Sequence, residues 1–136
     1  MTELEETTPW VRRWLRAEGA AGLVLGWVAW QYFGGELLLF IPFWLAPDVS
    51  MLGYLRGPHL GAITYNLVHN WLVGGLVLGA GWFLAVPWLG LAGAALVAHT
   101  GGDRLLGYGL KYPTSFQDTH LGRIGGRREA PPREAA

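Results

Sequence analysis

Residues 91–110 read LAGAALVAHTGGDRLLGYGL. An uncharged run opens the stretch; His99 and Asp103 then follow four residues apart, with Arg104 beside them. On a helix, positions i and i+4 share a face, so an imidazole and a carboxylate point the same way. The run before them is apolar enough to sit in lipid, which puts the pair just below a membrane surface. Ionisable groups at that depth are costly and mark function. The rest of the chain is organised around this helix.

Composition agrees with a lipid environment. Of 136 residues, 51% are hydrophobic and 15% charged, with eight Trp and 21 Gly and only one lysine, Lys111. Soluble domains carry about 25% charged residues. The length is that of one domain. A formal net charge of zero leaves no bulk attraction for nucleic acid. The absence of cysteine excludes disulfides and thiol chemistry. The opening MTELEETTPWVRRWLRAEG is acidic first and lacks a small-residue cleavage site, so it is read as retained rather than as a secretory signal.

In chain order, residues 1 to 9 are polar and are expected to fray. Trp10, Arg12, Arg13, Trp14 and Arg16 suit a helix entering at a headgroup layer. Gly19 to Gly35 is uncharged and has the length of a short span. Glu18, at its first turn, is favoured there by the helix dipole and is also a candidate member of a buried polar site. The second run, from Leu37, spans only if it continues through Asp48 to about Leu55. Arg56-Gly57-Pro58 is a turn signal, with His59 solvated beside it. Leu60 to Ala98 then holds no Asp, Glu, Lys or Arg, enough for two helices divided at Pro87. The first of these carries Tyr65, Asn66, His69 and Asn70, and the second carries His99 and Asp103. The glycines between residues 74 and 93 permit close helix approach. After Leu110 the chain reads as a polar tail, its last ten residues disordered.

This predicts an all-α, polytopic membrane protein of four transmembrane helices with both termini cytoplasmic. Segments 1–18 and 111–136 are cytoplasmic, and 19–110 is the membrane domain. Arginines at the N-terminus, Arg56 and the basic tail set that orientation. At a rise of about 1.5 Å per residue, Asp48 lies about 10 Å, His69 about 16 Å, His99 about 13 Å and Asp103 about 7 Å inside the cytoplasmic boundary. Residues from different helices thus fall in the same half of the bundle.

Two histidines and two carboxylates are a ligand set for a divalent metal of the zinc or manganese class. Facing helices of a bundle build such sites. Asp48, His69, His99 and Asp103 are the candidate ligands. Tyr65, Asn66 and Arg104 are candidate supporting or substrate contacts, and His120 is a further candidate that would have to fold back. Two other readings fit the same residues. One is a structural polar network without catalysis, in which Arg104 snorkels. The other is a proton-coupled carrier, which with four helices would need to form a homo-oligomer.

Three motifs, APDVSMLGYLRGP, GAITYNLVHN and AHTGGDRLLGYGLKYPTSFQDTHLGRIG, resemble a small bacterial integral-membrane family, domain of unknown function 4260. That resemblance covers nearly the whole chain and implies four helices in the inner membrane, with the bilayer as partner. A second, weaker resemblance runs to the predicted membrane-bound metal-dependent hydrolases. Pro47-Asp48, His69-Asn70 and the His99/Asp103 pair stand where that group has its motifs, and it implies a metal-dependent hydrolase. Ser50 and Thr64 stand where that group has a second Asp and a first His.

Overall fold

Helix α1 spans Pro9–Tyr32, with proline in its first turn, where a missing N–H costs nothing. Its buried residues, Gly19, Gly22, Gly26 and Trp30, recur every three or four positions and so form one stripe. That stripe packs on α5, Pro87–Leu106. The approach is backbone to backbone: a Cβ on Gly26 would lie 2.5 Å from the amide nitrogen of Ala98. Helix α4, Trp71–Phe83, covers another flank of α5, with Gly81 against the backbone of Gly90 and Gly93 against that of Leu78. Small residues let α5 lie between two helices at close range, where dispersion and weak polar contacts accumulate. A computed structural model describes residues 8–126. Of residues 1–9, expected to fray, 1–7 fall outside the described residues and Pro9 already begins α1, because proline suits a first helical turn; the disorder expected for 127–136 also falls outside them.

Between α1 and α4 the chain takes a less regular course. Helix α2 is short, Leu37–Leu45, and passes at Ala46 into an 11-residue 3-10 helix, Ala46–Arg56. Such helices seldom exceed three or four residues, and a 3-10 stretch within a helical run often marks a hinge or local strain. Gly57, at φ 117°, turns the chain into α3, Pro58–Val68, which packs back on the 3-10 helix. The Thr64 hydroxyl donates to the Ser50 carbonyl at 2.7 Å across this hairpin. Helix α3 stops at His69, and Asn70 starts α4 by accepting the Val73 N–H at 2.9 Å. The expected single helix after Pro58 is therefore two helices. The reason is local: the Asn70 side chain caps a new helix and donates to the Asn66 and Leu67 carbonyls of the old one.

The all-α expectation holds, and Pro87 begins α5 as expected. Among the described residues one helical stretch, Leu37–Arg56, is long and apolar enough to cross a membrane by length and composition. Large apolar side chains elsewhere are also exposed, including Leu25 at 64% and Phe83 at 87%. Residues 18 and 19, placed on either side of a segment boundary, lie within the unbroken α1.

Residues 111–126 are not the plain polar tail that their composition suggests. A two-stranded antiparallel ribbon, β1 (Asp118–Thr119) and β2 (Gly122–Arg123), folds against the bundle, burying Lys111, Thr119 and Leu121. Asn66 holds this segment to α3 with two bonds: its amide donates to the Lys111 carbonyl at 2.8 Å, and its Oδ1 accepts the Lys111 N–H at 2.7 Å. Two partly buried bonds at about 1 kcal/mol each make Asn66→Ala cost about 2 kcal/mol. Limited proteolysis is expected to clip residues 111–126 faster in Asn66→Ala than in wild type, with α1 and α5 still protected.

Candidate metal centre

The site forms where two rods of the fold are interrupted and a third is not. Asp48 sits in the first turn of the 3-10 helix, just after the α2 junction. His69 is the C-cap of α3, at the break before α4. His99 and Asp103 lie one turn apart on the continuous α5. A 3-10 helix rises about 2.0 Å per residue, so Asp48, eight residues before Arg56, stands about 16 Å from the Gly57 turn. His69, eleven residues after Pro58 in an α-helix, stands about 16 Å from the same turn. The stretched helix brings its carboxylate level with the imidazole.

Asp48 Oδ1 lies 3.5 Å from His69 Nε2 and 3.4 Å from His99 Nε2. These three atoms all fall within 4.8 Å of one another. Asp103 Oδ2 lies 3.9 Å from His69 Nε2 and 3.8 Å from His99 Nε2. Ligand bonds of about 2.0–2.1 Å arranged tetrahedrally put neighbouring ligand atoms about 3.3 Å apart. The Asp48 contacts are close to that edge, and those of Asp103 are longer. Both imidazoles are buried, whereas the Asp48 side chain is 43% exposed, so the cluster opens on the Asp48 side.

The imidazoles are set for coordination to different degrees. His69 Nδ1 lies 2.9 Å from the Tyr65 carbonyl, which can only accept, so Nδ1 carries the proton and Nε2 presents its lone pair. The Tyr65 ring stacks on His69 at 3.7 Å, and the Tyr65 hydroxyl donates to Asp103 Oδ2. Arg104 donates to the His69 carbonyl at 2.9 Å and to the Tyr108 carbonyl at 2.8 Å, fixing the break in α3 against the end of α5. His99 is fixed by packing: Trp44 lies against it at 5.3 Å between ring centroids. His69 Nε2 and both nitrogens of His99 are buried without a hydrogen-bond partner. Orphaned buried nitrogens cost stability, and a cation between the carboxylates would satisfy both Nε2 atoms. Two carboxylates and two neutral imidazoles also balance the charge of a divalent ion, and the chain has no cysteine to supply a soft thiolate.

The other expected members are placed differently. Tyr65 and Arg104 touch the cluster as described. Asn66 serves the tail. Glu18 is exposed on α1. His120 accepts the Leu110 N–H through Nδ1 at 2.8 Å, inside the tail; burial lowers its pKa below the usual histidine value, and the Arg104 guanidinium adds to this. His59 is exposed, as expected.

Lys111 is a neighbour that motif reading passed over, although its being the chain's one lysine was a visible signal. It is 3% exposed, with Nζ 3.9 Å from the Phe116 ring centroid, 4.9 Å from that of Tyr65 and 5.7 Å from that of Tyr108. Burial pushes its pKa down to about 8; the Asp103 carboxylate opposes that shift and Arg104 reinforces it. Between about 8 and the ordinary lysine value the unfolded chain holds the proton and the folded one does not. Stability contributed by this group therefore rises with pH across that window. A 15N-lysine NMR titration should give one side-chain signal with a midpoint near 8. Any stability advantage of Lys111→Met should shrink as pH rises above that midpoint.

A family model described as a domain of unknown function (DUF4260) matches residues 12–124. No curated protein and no solved structure matches the chain.

Proposed function

We propose that this chain, which belongs to the DUF4260 family, is a multi-pass protein of the bacterial inner membrane that holds a divalent metal and hydrolyses a substrate at it. The observation that carries the reading is the meeting of Asp48 Oδ1, His69 Nε2 and His99 Nε2, with Asp48 3.4–3.5 Å from each histidine nitrogen. The three come from three separate segments, and both Nε2 atoms are otherwise unpartnered. Asp48, His69 and His99 would hold the ion, with Asp103 beside them.

The membrane reading draws support from the Leu37–Arg56 stretch and from the exposed apolar side chains of α1 and α4. In it, four traverses are made by α1, by α2 with the 3-10 helix, by α3 with α4, and by α5. Two of them are broken helices, and irregular backbone at membrane depth is tolerated where it lines a protein site.

A bound ion of the zinc or manganese class would polarise a carbonyl or phosphoryl oxygen and lower the pKa of a water beside it. The protein's own groups supply the rest. Tyr65 orients Asp103 through its hydroxyl, leaving the second carboxylate oxygen to accept a proton. Hydrolysis would consume one water: its oxygen would bond to the substrate carbon or phosphorus as the bond to the departing oxygen breaks, and one proton would pass through Asp103 to that departing oxygen. Burial of both imidazoles keeps bulk water from the Nε2 side, so substrate enters past Asp48.

Elemental analysis of protein purified from metal-replete cells tests the reading. One equivalent of metal per chain is expected. A metal-free wild type that also fails to take up zinc or manganese on dialysis would end it.

A further inference from the structure

Beside the exposed Asp48 lies a cleft of about 320 Å3, lined by Phe43, Ala46, Pro47, Val68, Ala92 and Leu96. No side chain in its lining is charged or can donate or accept a hydrogen bond. The walls are joined to the candidate ligands. Pro47 precedes Asp48, Val68 precedes His69, and Leu96 lies three residues before His99 on α5. Phe43, Ala46 and Pro47 belong to the apolar stretch Leu37–Arg56, so the cleft is cut into the part of the molecule best suited to meet lipid. Two alanines leave the space open, and larger side chains at either position would fill it. Its volume is at the lower end for ligand pockets, which suits a narrow occupant.

We infer that this cleft seats one unbranched hydrocarbon chain of an amphiphilic substrate, with the substrate's reacting polar group delivered to the Asp48–His69–His99 cluster. The inference names a substrate class for the hydrolase reading and rests on it. Inside a bilayer the chain gains little by leaving lipid for an apolar wall. What the cleft provides is position: a chain held there keeps the reacting group beside the ligands rather than free to diffuse.

Alkyl hydroxamates, which bind metals through a polar head, are the probe. Cobalt-loaded protein in nanodiscs is titrated with acetohydroxamate and with decanohydroxamate, and cobalt absorption is followed. Partition of the long chain into the disc is common to all variants and cancels between them. Wild type should bind decanohydroxamate about tenfold more tightly than the Ala46→Phe/Ala92→Phe double variant. Acetohydroxamate should bind both within about twofold. Leu96→Ala, which lengthens the cleft, should move the preference toward tetradecanohydroxamate.

If wild type and the filled variant both hold cobalt and show the same ratio of long-chain to short-chain affinity, the cleft does not seat the chain. Should the filled variant fail to fold, an unchanged chain preference in Leu96→Ala overturns the inference equally. Wild type that takes up no cobalt, zinc or manganese instead overturns the metal reading itself, and the substrate class falls with it.

Discussion

Replacing His69 by alanine is expected to lower metal affinity on the order of a hundredfold or more. Structural zinc sites owe about 10–16 kcal/mol to about four ligands, so one ligand is worth roughly 3 kcal/mol. His69 is the candidate ligand best prepared for the task, because the Tyr65 carbonyl fixes its tautomer and the stacked Tyr65 ring fixes its plane. Its loss also leaves Asp48 and Asp103 facing each other with one imidazole fewer between them. His99→Ala should behave alike. Tyr65→Phe, which keeps the stacking and removes only the hydroxyl on Asp103, should cost about tenfold. Isothermal titration with zinc, alongside circular dichroism to show that each variant is folded, checks the series. Equal affinity in wild type and His69→Ala would remove His69 from the ligand set.

Gly101→Leu is expected to unfold the bundle or to lower its stability by more than about 3 kcal/mol. A Cβ at Gly101 would meet the Leu23 amide nitrogen, the Gly19 carbonyl at 2.6 Å and the Gly22 carbonyl carbon at 2.7 Å. All three are backbone atoms of α1, so no rotamer change relieves the clash and the helices must part. Parting α1 from α5 removes the helix that backs the one carrying His99 and Asp103, so metal uptake should fall with stability. Gly75 and Gly79 on α4 are the matched controls, since a Cβ at either meets nothing within 4 Å. Gly75→Ala and Gly79→Ala should leave melting unchanged or raise it, because alanine loses less conformational entropy in a helix than glycine. Thermal unfolding in one detergent, with metal-free protein throughout, separates the two groups. Comparable melting of Gly101→Leu and Gly75→Ala would mean that α1 and α5 do not pack as closely as described.

How much of this was legible beforehand varies by residue. His99 and Asp103 were legible as a pair because four residues along a helix return to the same face whatever surrounds them. Pro87 was legible as a helix start because proline fits a first turn and disrupts an interior. The agreement in depth of Asp48 and His69 was legible only roughly. A uniform helical rise over the same eight residues puts Asp48 about 4 Å nearer the boundary than the stretched helix does. Nothing in APDVSMLGYLR marks an 11-residue 3-10 run, since that geometry is imposed by packing against α3. The split at His69 was masked because apolar residues flank it on both sides, and hydropathy reports environment rather than backbone continuity. Glu18 was drawn toward the site by depth along the chain alone, and its side chain is exposed on α1. The tail misled for the opposite reason: residues 111–126 are polar in composition, yet their polar groups bond to one another and to Asn66, leaving Lys111 and Leu121 buried.

By itself, the sequence determined a mostly helical chain rich in apolar residues, with two imidazoles and two carboxylates on its helices, because periodicity and composition act residue by residue along the chain. Which of those groups meet was decided by tertiary structure alone. Convergence to 3.4–3.5 Å depends on where three segments cross and on how two of them are broken, and both are set by contacts between residues far apart in the sequence.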